Sequence, residues 1–188
     1  MAQRDFHLLY DYNLKSDGGN KVIEGSDKGF IVFGDFNDSG FRSRYLKTDS
    51  IGAVVFDTNY VLANDGLYGG GEWSNGYYGY GAYYNNIEGA ADGFFMFLNS
   101  NGDSLRAVPI NFEFNDRIYD AILKPDLTFV VYGFYTDTTG PNNAPFVANV
   151  DSTGAILWFQ EYDDSTKYEE VTNIEATQDG GYIIGGKE

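Results

Sequence analysis

Short apolar runs bounded by turn residues recur along the chain, as in Gly29-Phe30-Ile31-Val32-Phe33-Gly34 and Thr128-Phe129-Val130-Val131-Tyr132-Gly133. No window holds the 3.6-residue apolar period of an amphipathic helix, so the pattern predicts strands throughout. Strands buried on one face alternate apolar with polar residues. These runs are apolar at consecutive positions, which predicts cover on both faces.

The runs align with one another. Asp27-Lys28-Gly29-Phe30-Ile31-Val32-Phe33-Gly34 matches Asp126-Leu127-Thr128-Phe129-Val130-Val131-Tyr132-Gly133 and Asp179-Gly180-Gly181-Tyr182-Ile183-Ile184-Gly185-Gly186, with a weaker copy at Ser74-Asn75-Gly76-Tyr77-Tyr78-Gly79-Tyr80-Gly81. A second motif lies between these: Asp49-Ser50-Ile51-Gly52, Asn99-Ser100-Asn101-Gly102 and Asp151-Ser152-Thr153-Gly154. Its first side chain can bond the backbone two residues on, and its glycine can take the positive φ that ends a tight turn. Both motifs repeat at a period of about 50 residues.

Each unit divides into four strands, most clearly 117–123, 128–135, 145–150 and 155–162 in the third. Four short antiparallel strands per repeat predict an all-β fold, a β-propeller with four-stranded blades. The expected boundaries are a lone outer strand at 5–12, blades at 19–60, 61–114 and 115–163, and the first half of a fourth blade at 168–188. The lone strand rests on the similarity of Phe6-His7-Leu8-Leu9-Tyr10-Asp11 to Trp158-Phe159-Gln160-Glu161-Tyr162-Asp163. About three and a half blades is fewer than a closed propeller uses, so the expectation is an incomplete propeller, with an open stack of sheets as the alternative. Bare faces and edges then predict self-association, or packing against the remaining blades of a longer chain.

Composition narrows the partners. The 188 residues carry 28 acidic and 12 basic side chains for a net charge of −16, with one histidine and no cysteine. So few Lys and Arg argue against nucleic acid, which is bound by displacing counterions from phosphate, and against anionic membranes. Without cysteine there is no disulfide or thiolate chemistry. One imidazole, His7, cannot build a histidine metal centre, and it reads as structural. No apolar run reaches the roughly 18 residues of a spanning helix, so no membrane insertion is expected. Met1-Ala2-Gln3-Arg4 opens without the apolar core of a signal peptide.

Asp179-Gly180-Gly181-Tyr182-Ile183-Ile184-x-Gly186, and Val150-Asp151-Ser152-x-Gly154 followed by Trp158, resemble the repeats of secreted bacterial β-propellers. Such repeats occur in Bacteroidota-type surface and exported proteins that carry a type IX secretion signal. The resemblance runs from Phe6 to Gly186. It implies a non-catalytic extracellular or cell-surface scaffold that binds protein or carbohydrate and needs no cofactor. A carbohydrate-active hydrolase or lyase is the first alternative, and a structural repeat of a large adhesin or filament the second. The second unit departs from the pattern: Ser74 replaces the turn aspartate, and Arg106 occupies the place of Phe56 and Trp158.

Candidate chemistry concentrates in two places. The segment from Gly66 to Tyr84 is unusually rich in glycine and tyrosine, which makes Trp73, Tyr77, Tyr78, Tyr80, Tyr83 and Tyr84 candidate ligand-binding aromatics. The competing reading is a glycine-rich loop plus one aromatic blade strand. Asp35, Asn37 and Asp38, ahead of Gly40, are candidate calcium ligands, although no acidic residue closes the loop at the twelfth position. Asp137-Thr138-Thr139-Gly140 fills the corresponding loop of the third unit, and an ordinary polar turn competes at both. Glycoside hydrolysis needs two placed carboxylates, for which Glu72, Glu88, Glu113, Asp116 and Asp120 are candidates against solvated or turn roles.

Overall fold

The computed structural model describes residues 8–11, 16–37, 40–60, 66–74, 76–85, 89–112, 115–136, 143–162 and 170–187. Those residues form strands and no helix. Strands β1 (Ser16–Glu24), β2 (Phe30–Asn37), β3 (Phe41–Thr48) and β4 (Val54–Tyr60) make an antiparallel meander, sheet A. Strands β5 (Gly66–Trp73), β6 (Gly76–Asn85), β7 (Ala90–Asn99) and β8 (Ser104–Ile110) make sheet B. Sheet C holds β9 (Asp116–Leu123), β10 (Phe129–Thr136), β11 (Asn143–Val150) and β12 (Ile156–Glu161), and sheet D pairs β13 (Glu170–Ala176) with β14 (Tyr182–Lys187).

The sheets stack face to face in chain order. Successive residues of one strand serve different interfaces: Tyr77, Phe94, Met96 and Leu98 pack toward Ile31, Phe33 and Tyr45 of sheet A. Their neighbours Tyr78, Phe95 and Phe97 pack toward Ile118, Phe129 and Val131 of sheet C. On β10 the next positions, Val130 and Tyr132, turn to Ile174 and Ile184 of sheet D. Burying each such side chain stabilises by roughly 1.5–3 kcal/mol, which is why the apolar runs are continuous.

The open face of sheet A departs from expectation. Within the outer strand expected at 5–12, the described residues 8–11 are not a strand; they lie as an irregular strap on that face. Side chains hold it, in place of ladder hydrogen bonds. The Tyr10 hydroxyl donates to Gly52 O at 2.7 Å, and Arg44 donates to Tyr10 O at 3.3 Å. Arg44, almost wholly buried, also forks onto Asp57 at 2.9 and 2.8 Å and pairs with Asp17.

Both repeat motifs have local causes. In the first, Leu127 N donates to Lys124 O at 2.9 Å while Asp126 Oδ1 accepts from Thr128 N at 3.1 Å. This turn drives one residue to positive φ: Lys28 at 68°, Leu127 at 64° and Gly180 at 85°. The second unit closes β5 and β6 more tightly, with Trp73 paired to Gly76 and Ser74 at φ 52°. In the second motif Asp151 Oδ1 accepts from Thr153 N at 2.8 Å and Ala155 N at 3.0 Å, and Gly154 takes φ 90°.

The glycine that closes the first motif faces a bulge on the preceding strand, whose extra residue is Asn20, Tyr68 or Tyr119. The ladder slips between Gly19 and Lys21, between Leu67 and Gly69, and between Tyr132 and Gly133. A Cβ on Gly34, Gly81 or Gly133 would lie 1.9 Å from the carbonyl oxygen of Gly18, Gly66 or Arg117. Gly133→Ala therefore costs about 3 kcal/mol or more. Leu127→Gly, which relieves a left-handed non-glycine residue, stabilises by about 0.5 kcal/mol after its extra unfolded-state entropy. Urea midpoints at constant slope measure both.

The turn carboxylates couple this architecture to acid. The Thr128 hydroxyl, with Lys124, pulls Asp126 down to about 2, and the Thr153 and Thr177 hydroxyls lower Asp151 and Asp179. The Lys47 ammonium lowers Asp27 in the same way. A depressed carboxylate stabilises fully above its unfolded value of about 3.9 and loses that contribution as pH falls through the folded value. Stability therefore declines from about pH 4 toward pH 2, and Asp126→Asn with Asp151→Asn makes the decline shallower. Urea midpoints at several pH values test this.

Candidate functional site

A cleft of about 750 Å³ opens where the end of β2, the start of β3, the ends of β5 and β6 nearest them, and the start of β9 meet. Gly66, Ala82 and Ala91 leave the space, since their side chains are too small to fill it. Asp35 and Arg117 supply opposite charges, and Phe41, Tyr68, Tyr83 and Tyr84 supply aromatic surface. Phe41 and Tyr84 are exposed, whereas Tyr68 stacks on Tyr119 with centroids 5.3 Å apart.

Each polar group is oriented by a neighbour. Asn20 Nδ2 donates to Asp35 Oδ2 at 3.1 Å and to Leu67 O at 2.7 Å, fixing the carboxylate on the cleft wall. The Arg117 guanidinium lies 5.7 Å from the Phe134 ring centroid. The Tyr83 hydroxyl donates to Asp92 Oδ2 at 3.1 Å, and Asn85 Nδ2 donates to the same oxygen at 2.8 Å. Burial pushes the Tyr68 phenol up against the opposing pull of Arg117, so at neutral pH it is a neutral hydroxyl.

The six sequence-predicted aromatics are split up. Tyr77, Tyr78 and Tyr80 are buried in the sheet interfaces, which corrects their expected place on a binding surface. Trp73 is half-buried away from the cleft, 4.7 Å from Phe97, with the Arg106 guanidinium 5.7 Å from its ring. Only Tyr83 and Tyr84 of the set line the cleft. The glycines beside them answer to packing too: a Cβ on Gly69 would meet the Tyr80 hydroxyl at 2.2 Å, and one on Gly70 would meet Phe33 at 2.4 Å.

The carboxylate candidates also separate. Asp35 faces the cleft, Asn37 Oδ1 accepts from Gly40 N at 3.3 Å, and Asp38 lies outside the described residues. No group of three or more His, Cys, Asp or Glu side chains placed for a metal occurs among the described residues. Asp116 is fully buried and accepts from Gly93 N at 2.6 Å and Phe112 N at 3.0 Å, while Glu72 accepts from Ser26 N at 3.0 Å. His7, Glu88, Glu113 and the loop at Asp137 lie outside the described residues.

Asp120 joins a network that spans three sheets. Lys21 Nζ of β1 donates to Asp120 Oδ1 and to the Tyr80 hydroxyl, each at 2.9 Å, and Tyr80 donates to Asp120 at 2.5 Å. Burial first, then the Asp120 charge and its hydrogen bond, raise the Tyr80 phenol far above its usual range, so it stays protonated, donating to Asp120 while accepting from Lys21. Sequence reasoning passed over Tyr68, Phe41 and Arg117. Tyr68 stands inside the glycine–tyrosine segment, but nothing local marks Arg117 or Phe41, which the stacking of three sheets brings to it.

Comparison with protein-family models and with curated proteins gives no match for this chain. Function is therefore read from the site. Tyr80→Phe keeps the ring and the Lys21–Asp120 pair, with an expected loss of about 1 kcal/mol. Asp120→Ala strands two donors and costs about 2 kcal/mol, discounted for partial exposure. Urea denaturation ranks the two.

Proposed function

We propose that this chain is a propeller-type scaffold that binds carbohydrate in the cleft between its first sheets, outside the cell or at its surface. The lining of the cleft carries this reading. Exposed Phe41 and Tyr84 offer flat apolar faces, and Asp35 and Arg117 offer an acceptor and a planar donor, each positioned by a neighbour. A sugar ring presents the complement, with apolar C–H faces and a rim of hydroxyls.

Binding is favoured over hydrolysis because Asp35 is the one carboxylate among the described lining residues, and hydrolysis uses two. The repeats that resemble exported propellers support the location. Four-stranded sheets stacked in chain order support the propeller reading.

Titration calorimetry against a panel of neutral and uronic-acid oligosaccharides tests the proposal. The expected Kd is about 0.1–1 mM for one or more members. Tyr84→Ala and Arg117→Ala each weaken binding about tenfold, equivalent to about 1.4 kcal/mol, while Trp73→Phe leaves it unchanged. Silence across the panel, or binding indifferent to Tyr84 and Arg117, overturns it.

A further inference from the structure

One rung of the ladder occupies the same place in sheets A, B and C, next to the pair that holds the motif glycine. It joins Gly18 to Asp35, Gly66 to Ala82 and Arg117 to Phe134. Glycine fills its first position in sheets A and B, and a Cβ on Gly18 would meet nothing within 4 Å. The repeat therefore makes no demand for a long side chain there. Arg117 departs from the repeat at a position where its side chain lines the cleft beside Gly66 and Ala82.

The guanidinium there is also unanswered. In a chain of net charge −16, Lys21, Lys28, Arg44, Lys47 and Lys124 each pair with a carboxylate. The Arg117 guanidinium has neither an ion pair nor a hydrogen bond among the described residues; its contact is with the Phe134 ring, which leaves its N–H donors without acceptors. On the opposite side, a Cβ on Gly66 would stand 3.8 Å from Asp35 Oδ2, so that carboxylate reaches over sheet B. Burial raises the Tyr68 phenol, Arg117 opposes the rise and Asp35 adds to it, which places both charges within reach of one hydroxyl.

Resting on the carbohydrate reading of the cleft, we infer that its ligand is an acidic sugar: a uronic acid whose carboxylate takes the N–H donors of Arg117 while its hydroxyls donate to Asp35. A planar carboxylate matches the guanidinium fork, whereas a neutral sugar leaves the charge unpaired. Asp35 repels a carboxylate at its own end, so the two charges fix which way the sugar lies. The chain's remaining negative charge is screened over roughly 8–10 Å at physiological salt, while the contact with Arg117 is direct.

Calorimetry on the full chain compares trimers of galacturonic, glucuronic and mannuronic acid, each with its carboxyl-reduced neutral counterpart. At least one acidic trimer is expected to bind about tenfold more tightly than its counterpart. Arg117→Gln brings that ratio to about one, and Arg117→Lys, which keeps the charge and loses the fork, leaves it at about threefold. The ratio on the unsubstituted protein decides even where a variant does not fold. Equal binding of acidic and reduced trimers, or an acid preference that survives Arg117→Gln, overturns the inference and leaves the carbohydrate reading standing. A sulfated trimer of the same linkage that binds more tightly than the uronate overturns the carboxylate assignment. Silence from every trimer overturns the inference, and silence from the wider panel as well overturns the carbohydrate reading.

Discussion

Phe95 and Phe129 meet across sheets B and C with ring centroids 4.5 Å apart, while Phe94, one residue away, packs toward sheet A. This two-sided burial is the constraint on which the rest of the structure depends. A strand apolar at every position leaves water only when both of its faces are covered, so each sheet requires a neighbour on either side. The middle strands obey most strictly: nine of the ten residues of β7 are buried, whereas every residue of β12 is exposed. Aromatic pairs at such interfaces add roughly 0.5–1.5 kcal/mol beyond area burial, and this chain places them between sheets A and B and between sheets B and C.

Cover at the start of the stack comes from a different solution. The strap at 8–11 lies over one face of sheet A, where the guanidinium of Arg44 on β3 is buried. Arg44 can sit in that low-dielectric position because Asp57, Asp17 and Tyr10 O satisfy its donors. Lys47 on the opposite face is handled alike, with Asp27 and Thr48 O accepting at 2.8 and 2.9 Å. Polar groups inside the stack thus serve as ties between strands, and the Lys21–Tyr80–Asp120 network extends this to three sheets. The cleft forms where small residues interrupt the packing, so its polar lining stays accessible in a molecule whose other carboxylates are largely engaged in turns.

The repeat was legible because its causes are local. Turn carboxylates, a residue forced to positive φ and a glycine facing a bulge each leave a mark at a fixed position, and so the strands fell within a few residues of their expected places. The aromatic segment leaves a blade strand and a binding surface as competing readings for the opposite reason. Tyr77 and Tyr78 are adjacent and chemically identical, yet one enters the A–B interface and the other the B–C interface. Richness in tyrosine and glycine marks contact area, but it does not say whether the contact is with a ligand or with the next sheet.

By itself the sequence determined the all-β character, the hairpins and the four-stranded units, since propensity and turn chemistry act over a few residues. Only the tertiary structure decided which aromatics are reachable, which carboxylates are already engaged, and that Asp35, Tyr68 and Arg117 share one cleft. Those outcomes depend on how sheets far apart along the chain come face to face, and a side chain's exposure is a property of its neighbours rather than of its own chemistry.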